Sequence, residues 1–240
     1  MDTDIVERYK RQAAEHALQF VASGMVVGLG TGSTAIYATR RLAELLRDGR
    51  LHDVVGVPTS RATETAAAEL RIPLLEHDLP REIDVTIDGA DEVSPELHLI
   101  KGGGGALLRE KIVAESSHLR VYVVDDSKLS AKLGVGRPVP VEVLQFGWRR
   151  QSEYLRGLGA DVKLRLNSDG APFLTDQGNL ILDCAFGSID DPAALAAAID
   201  GRSGIVEHGL FVGLTSELIV AGADGLRHHS AARGSAPLVW

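Results

Sequence analysis

The sequence of 240 residues has few of the features that direct a chain to specialised classes of protein. A single cysteine, Cys184, excludes an intrachain disulfide. Lysine and arginine form no cluster and the formal net charge is −8, so general nucleic-acid binding, which needs clustered cations, is disfavoured. No apolar run is long enough to span a bilayer, and residues 1–12 lack the apolar core of a signal peptide. We therefore expect a cytoplasmic protein without a nucleic-acid or membrane partner.

The richest chemistry lies between Asp88 and Lys111, in the stretch DGADEVSPELHLIKGGGGALLREK. It gathers carboxylates and lysines around four consecutive glycines, 102–105. The apolar residues 83–87 predict a buried strand that ends at Asp88, and open α/β sheets bind ligands at the carboxyl ends of their strands. Glycines before a helix bring backbone N–H groups close to an anion. Single residues of this set are also typical of turns and solvated helix faces, so only the combination predicts proton transfer on a phosphorylated or carboxylated small molecule.

A second glycine-rich turn follows the apolar strand in residues 25–35, MVVGLGTGSTA. It fits the dinucleotide fingerprint G-x-G-x-x-A, but that fold places an acidic residue after the second strand. The second strand is predicted at 54–57 and is followed by Pro58, Thr59 and Ser60, without an acid. We interpret the turn as a cradle for a compact phosphate, with hydroxyl donors beside a helix N-terminus. These donors are Thr31, Ser33 and Thr34, of which Thr34 could instead cap the helix.

The order of predicted elements divides the chain into two parts. Helices are expected at 4–22, about 35–46, 61–70 and 106–115, and strands at 25–29, 54–57, 72–75, 83–87 and 120–124. This alternation predicts a parallel, doubly wound sheet. Prolines 138 and 140 then mark a joint, and strand, helix, strand, strand, helix, strand follow up to residue 210, which is the ferredoxin-like order. The segment 217–225 could return to the first sheet. The predicted domains are therefore 1–137 plus 211–240, and 138–210.

The motifs together resemble those of the type A ribose-5-phosphate isomerase family. The resemblance covers nearly the whole chain and is carried by the segments 28–34 (GLGTGST), 88–91 (DGAD), 101–104 (KGGG), 109–111 (REK), DDSKL around Lys128, and 178–183 (GNLILD). Gly105 stands where members of the family often carry alanine, which changes nothing in the expected chemistry.

The resemblance implies a Rossmann-like parallel-sheet domain with an inserted ferredoxin-like α+β domain, and a homodimer or homotetramer. The implied function is interconversion of D-ribose 5-phosphate and D-ribulose 5-phosphate through an enediolate in the non-oxidative pentose phosphate pathway, without cofactor or metal. The implied catalytic residues are Glu110 as general base, with Asp88, Asp91 and Lys101. The implied substrate-binding residues are Lys10, Thr31, Gly32, Ser33, Thr34, Gly89, Ala90, Gly102, Gly103, Gly104 and Lys128. His208, His228 and His229 have no convincing set of partner ligands, so no metal site is predicted.

Two functions of other classes are the alternatives to this one. A sugar-phosphate-sensing module of a transcription regulator would need a DNA-binding segment, and we expect none because the sheet domain's first helix begins the chain. A nicotinamide-dependent oxidoreductase is disfavoured by the missing ribose-binding acid.

Overall fold

The computed structural model describes residues 3–75, 82–231 and 237–238. The chain forms two compact units. The first comprises Met1–Ala90, Arg109–Lys128 and Leu214–Ser235, and the second Asp91–Leu108, Leu129–Gly213 and Ala236–Trp240. The domain boundaries proposed from the sequence stay a prediction. Among the described residues, no helix combines the length and the apolar character needed to cross a bilayer.

Six helices and thirteen strands are described. The helices are α1 (Thr3–His16), α2 (Ala35–Arg47), α3 (Arg61–Glu69), α4 (Leu107–Glu115), α5 (Trp148–Gly157) and α6 (Pro192–Asp200). The strands are β1 (Val26–Leu29), β2 (Val55–Pro58), β3 (Ile83–Asp88), β4 (Glu92–Val93), β5 (Leu99–Ile100), β6 (Ser117–Asp125), β7 (Val139–Val143), β8 (Asp161–Leu164), β9 (Leu180–Ala185), β10 (Ile205–His208), β11 (Leu210–Phe211), β12 (Glu217–Gly222) and β13 (Gly225–Ser230).

The first unit is built on a six-stranded sheet in the order β13-β12-β6-β3-β1-β2. All neighbours are parallel except the edge strand β13, which pairs antiparallel with β12. Strand β1 is buried on both faces. Val27 belongs to the core under α1 and α2, whereas Val26 packs with Val113 of α4. A parallel sheet covered on both faces explains the unbroken apolar runs in its strands, and the predicted doubly wound sheet is confirmed.

The second unit contains an antiparallel four-stranded sheet in the order β10-β7-β9-β8. With α5 and α6 this is the ferredoxin-like arrangement, as predicted. Valines 139, 141 and 143 of β7 face the apolar core of this unit. A second, three-stranded sheet in the order β11-β5-β4 was not predicted, because strands of two residues leave no periodic signal.

Several predicted elements differ in extent from those observed. The strand expected at 72–75 is reduced to one bridge, between Gly56 and Leu74, and residues 76–81 lie outside the described part. The helix expected at 4–22 ends at His16, and a 3-10 turn, Ala17–Phe20, follows it. Strand β6 is longer than the expected 120–124.

Candidate active site

The carboxyl end of β3 and the glycine-rich turn after β1 are joined through Asp88. This residue is almost fully buried at the end of its strand. Its Oδ1 accepts hydrogen bonds from the backbone N–H of Thr31 at 3.1 Å and of Gly89 at 2.7 Å. Gly89 and Ala90 follow it, both half-buried. These two segments therefore meet at one edge of the parallel sheet, and Asp88 is the group that links them.

The absence of a side chain at Gly30 is what allows this approach. A Cβ built on Gly30 would lie 2.4 Å from Asp88 Oδ1 and 2.5 Å from Asp88 Cα, well inside van der Waals contact. The Gly30 N–H donates to the carbonyl of Ile87 at 3.0 Å. The first glycine of the fingerprint, Gly30, is thus required for packing between the turn after β1 and the end of β3.

The Thr31 hydroxyl is engaged within the fold. Its Oγ1 lies 2.7 Å from Thr59 Oγ1, 2.8 Å from Ser60 Oγ and 3.0 Å from Thr63 Oγ1. These three partners are buried, and they come from the end of β2 and the start of α3. Thr59 and Thr63 also donate to the carbonyls of Leu29 and Gly30. A buried hydroxyl cluster therefore holds the turn after β1 in its conformation.

The remaining residues of the turn lead into α2. Gly32 and Ser33 are exposed, and Thr34, which precedes α2, is buried. Thr34 makes no side-chain capping hydrogen bond to the helix. The hydroxyl of the turn that serves the fold is thus that of Thr31 rather than that of Thr34. Gly32 and Ser33 present the helix N-terminus to solvent, as a cradle for an anion requires.

Helix α4 departs from the usual distribution of polar and apolar side chains at three consecutive positions. Glu110 and Lys111 are only 5% and 6% exposed, whereas Ile112 is 42% exposed. Charged side chains are rarely buried to this degree unless they are paired or functional. Glu110 and Lys111 therefore do not form an ordinary solvated helix face. A break in the local pattern of this kind is typical of a functional site.

Two further predicted lysines belong to the first unit. Lys10, on α1, donates from Nζ to Glu7 Oε1 at 2.7 Å, and Glu7 also accepts from the Tyr37 hydroxyl at 2.7 Å. Hydrogen bonds from Lys10 and Tyr37 lower the pKa of Glu7. Lys128 is half-buried and ends a 3-10 turn directly after β6. Both backbone and hydroxyl of Ser127 donate to Asp125 in this turn.

The second unit holds Asp91, Lys101 and the glycines. Asp91 Oδ2 accepts the N–H of Gly103 at 2.7 Å. Lys101 is 2% exposed, its backbone N–H donates to the carbonyl of Gly209, and its Nζ lies 5.6 Å from the centre of the Phe211 ring. Gly102 is buried, whereas Gly103 and Gly104 are exposed. A cavity of about 550 Å³ in this unit is lined by residues that include Asp91 and Gly103. Lys101 is therefore not a solvated loop charge.

One group in the described part of the chain has side chains at metal-ligand spacing: Asp200, Glu207 and His208, with donor atoms within 4.8 Å of one another. The buried His208 places Nε2 3.1 Å from Asp200 Oδ1, while its Nδ1 accepts the N–H of Leu210 at 3.2 Å. A neutral imidazole whose Nδ1 accepts a hydrogen bond carries its proton on Nε2. A metal ion at Nε2 would need the lone pair of that nitrogen, and the proton occupies it. We therefore interpret this group as a hydrogen-bonded network within the fold.

Sequence reasoning missed the side chains that support the site from a distance. Thr59, Ser60 and Thr63 lie about thirty residues from Thr31, and Arg165, which donates to the glycine carbonyls, lies 62 residues from Gly103. No local motif signals such contacts. The TSRAT segment carried only the signal of a helix start, with Ser60 as its cap.

Known proteins are similar to this chain in both sequence and fold. The model of the family described as ribose 5-phosphate isomerase A (phosphoriboisomerase A) matches residues 55–225. Ribose-5-phosphate isomerase A of Chloroflexus aurantiacus is 56% identical over 228 residues, which cover 95% of each chain. This chain belongs to the ribose 5-phosphate isomerase A family.

Solved structures agree with this assignment to the family. A D-ribose-5-phosphate isomerase in complex with phospho-erythronic acid is 39% identical and has a TM-score of 0.92, covering 96% of this chain and 100% of the other. Ribose 5-phosphate isomerase from Plasmodium falciparum is 40% identical with a TM-score of 0.90, covering 93% and 98%. The Rossmann-like unit and the ferredoxin-like unit are thus the architecture of the family.

Proposed function

We propose that this protein interconverts D-ribose 5-phosphate and D-ribulose 5-phosphate. The observation that carries the proposal is 56% identity, over 95% of both chains, to a relative named for this activity. A related structure named as a complex with phospho-erythronic acid adds that a phosphorylated sugar acid binds to this fold. The reaction moves one proton between C2 and C1 through an enediolate. It needs a base that also serves as acid, stabilisation of the oxyanion, and a phosphate anchor.

Glu110 is our candidate for the base. A carboxylate within hydrogen-bond reach of the two carbons takes the proton from one and returns it to the other, which contributes typically about 10²–10⁴-fold. The burial of Glu110 on α4 supports this role, because a carboxylate is rarely buried to this degree unless it is paired or functional.

Lys101 is our candidate for stabilising the oxyanion that develops on the sugar. Its ammonium group is buried, and a charge in a water-excluded place acts more strongly than one in solvent. The backbone N–H groups of Gly102 and Gly104 would add to it. The N–H of Gly103 already binds Asp91, so we assign to Asp91 the positioning of the glycine turn.

Asp88 is our candidate for the residue that links phosphate and sugar binding. Its Oδ1 already holds the turn after β1, so we assign to its carboxylate the ring opening of the sugar or proton exchange between the sugar oxygens. Gly89 and Ala90 would contribute backbone contacts to the substrate.

The phosphate would bind at the turn after β1. Gly32, Ser33 and Thr34 supply N–H and hydroxyl donors at the start of α2, where the helix dipole favours an anion. Lys10 and Lys128 would supply positive charge in a chain whose net charge is −8. Thr31 would contribute its backbone conformation, since its hydroxyl is engaged with Thr59, Ser60 and Thr63.

The proposal includes a homodimer or homotetramer in the cytoplasm that acts without a cofactor. Sedimentation of the purified protein measures the oligomer. The reaction is tested by incubating ribose 5-phosphate with the protein in the presence of a metal chelator and following the ketose product. We expect turnover that the chelator does not reduce. Binding of ribose 5-phosphate without turnover would instead identify a sensor, and activity lost with chelator would identify a metal-dependent enzyme.

A further inference from the structure

The four glycines after Lys101 form a tight turn that lacks side chains of its own. The N–H of Gly105 donates to the carbonyl of Gly102 at 2.9 Å. Gly102 and Gly105 have φ angles of 91° and 84°, in the left-handed region that glycine alone adopts without strain. A run of glycines is also the most flexible backbone in solution, so it keeps one conformation only where other residues hold it.

Arg165 holds this turn from one side. Its Nη1 donates to the carbonyl of Gly102 at 2.9 Å and to the carbonyl of Gly103 at 3.1 Å. From the other side, Asp91 Oδ2 accepts the N–H of Gly103. All these residues belong to the second unit. The peptide group between Gly102 and Gly103 is thus bound at both its oxygen and its nitrogen.

Arg165 is itself fixed in place. Its Nε donates to Asp183 Oδ2 at 2.9 Å, and its Nη2 donates to Asp183 Oδ1. This two-point pairing holds the guanidinium plane in one orientation. The guanidinium carbon also lies 5.8 Å from the centre of the Phe173 ring, and a Cβ built on Gly105 would lie 2.5 Å from that ring. Asp183 and Phe173 therefore leave Arg165 little freedom to move away from the turn.

The orientation of the carbonyls determines the orientation of the N–H groups. In a planar trans peptide the C=O and the following N–H point in opposite directions. With the carbonyl of Gly103 bound to Arg165, the N–H of Gly104 points to the side opposite Arg165. Arg165 also polarises these peptide groups, because its positive charge lies at the oxygen end of their dipoles.

We propose that Arg165, oriented by Asp183, is a positioning residue that fixes the Gly102–Gly105 turn and thereby sets the backbone N–H of Gly104 for stabilisation of the oxyanion. The proposal rests on the proposed isomerase function. It also assigns a role to the GNLILD segment, which ends in Asp183: this segment orients Arg165. No local motif signals this role, because the segment lies far from Lys101 in the sequence. Arg165 acts through the turn and does not touch the sugar.

The test compares Arg165→Ala and Arg165→Lys with the wild type in ribose 5-phosphate turnover. Misplacing a catalytic group by about 1 Å costs up to about 100-fold, so we expect Arg165→Ala to lower kcat by about 10- to 100-fold and to change KM by less than about threefold. Arg165→Lys keeps the positive charge but cannot make the two-point pairing with Asp183. Its kcat should lie between those of the wild type and Arg165→Ala. Added guanidinium ion at non-denaturing concentration should partly restore kcat of the alanine variant.

Arg202→Ala is the matched control. Arg202 also belongs to the second unit, donates to Gln151 Oε1 and lies 4.9 Å from the centre of the Tyr154 ring, but it does not bind the glycine turn. We expect Arg202→Ala to lower Tm and to leave kcat unchanged. A purely structural role of Arg165 would give the same pattern as this control and would overturn the proposal. If Arg165→Ala does not fold, kcat of Arg165→Lys decides in the same way.

Amide hydrogen exchange separates this proposal from the proposed function, since it needs no substrate. Loss of Arg165 should speed exchange at the N–H groups of Gly103 and Gly105, which are hydrogen-bonded in the turn. Unchanged exchange at these two groups would overturn the positioning role whatever reaction the protein catalyses. Faster exchange in a protein whose wild type does not turn over ribose 5-phosphate would support the positioning role and contradict only the proposed function.

Discussion

Replacing Gly30 with alanine tests how closely the turn after β1 and the end of β3 are packed. Gly30 does not have the positive φ of many other glycines here, so alanine brings no backbone strain. What it brings is contact: the added Cβ would lie 2.5 Å from Asp88 Cα, whereas ordinary contact begins at 3.4 Å. Because Asp88 Cα is a backbone atom, rotation of a side chain cannot relieve the overlap. The backbone at Asp88 must therefore move away by about 1 Å.

The size of two effects follows from this displacement. Overpacking of this kind costs about 1–3 kcal/mol, which lowers Tm by roughly 2–12 °C in a chain of this size. A displacement of about 1 Å at a catalytic carboxylate reduces kcat by up to about 100-fold. Since Asp88 Oδ1 also holds the N–H of Thr31, KM should rise as the phosphate cradle loosens.

The assay is the initial rate of ketose formation from ribose 5-phosphate, with Tm measured on the same samples. Gly157→Ala is the control. Gly157 ends α5, has no heavy atom within 4 Å of its added Cβ and lacks a positive φ, so alanine there should raise stability by about 0.5–1 kcal/mol and leave kcat unchanged. A Gly30→Ala protein with wild-type kcat and Tm would refute the packing described here.

Three further predictions concern buried polar groups. Thr31→Val leaves the hydroxyls of Thr59, Ser60 and Thr63 without a shared partner and should lower the unfolding free energy by about 1–3 kcal/mol in denaturant titration, whereas Thr31→Ser should not. Burial, with lesser effects of the Glu207 and Asp176 charges, raises the pKa of Glu142 above its ordinary 4.5 despite hydrogen bonds from Asn179 and Thr175. The folded state then binds the proton more tightly, so stability falls as pH rises from 4.5 through the raised value, and this slope in Tm should vanish in Glu142→Gln. Burial raises the pKa of the Cys184 thiol to about 12, so thiol reagents at about pH 8 should label it only after unfolding; rapid labelling of the native protein would contradict this.

The parts of the fold that the sequence predicted well carry strong local signals. Strand β1, its glycine turn and α2 follow one another within about twenty residues, and apolar runs bounded by turn residues mark β3 and β6. The six elements β7, α5, β8, β9, α6 and β10 of the second unit were predicted for the same reason. Strands β4, β5 and β11 have two residues each and were missed, since their pairing depends on tertiary contacts alone.

The candidate site was predicted in its motifs but not in its supports. Asp88 was expected at the end of a strand, and the glycine turn after another strand, because open α/β sheets bind ligands at the carboxyl ends of their strands. The burial of Glu110 and the exposure of Ile112 could not be predicted, since helical periodicity favours the opposite arrangement. The engagement of Thr31 and the anchoring of the glycine turn by Arg165 depend on residues that are remote in sequence.

The most direct test of the central claim is the turnover of ribose 5-phosphate by wild type and by Glu110→Gln. Glutamine keeps the size of the side chain but cannot accept the C2 proton. We expect turnover by the wild type, a loss in the variant of at least about 10²-fold, and substrate affinity that is largely preserved, measured by calorimetry. Turnover near the wild-type rate in Glu110→Gln would remove Glu110 from the mechanism, and no turnover by the wild type would contradict the proposed function itself.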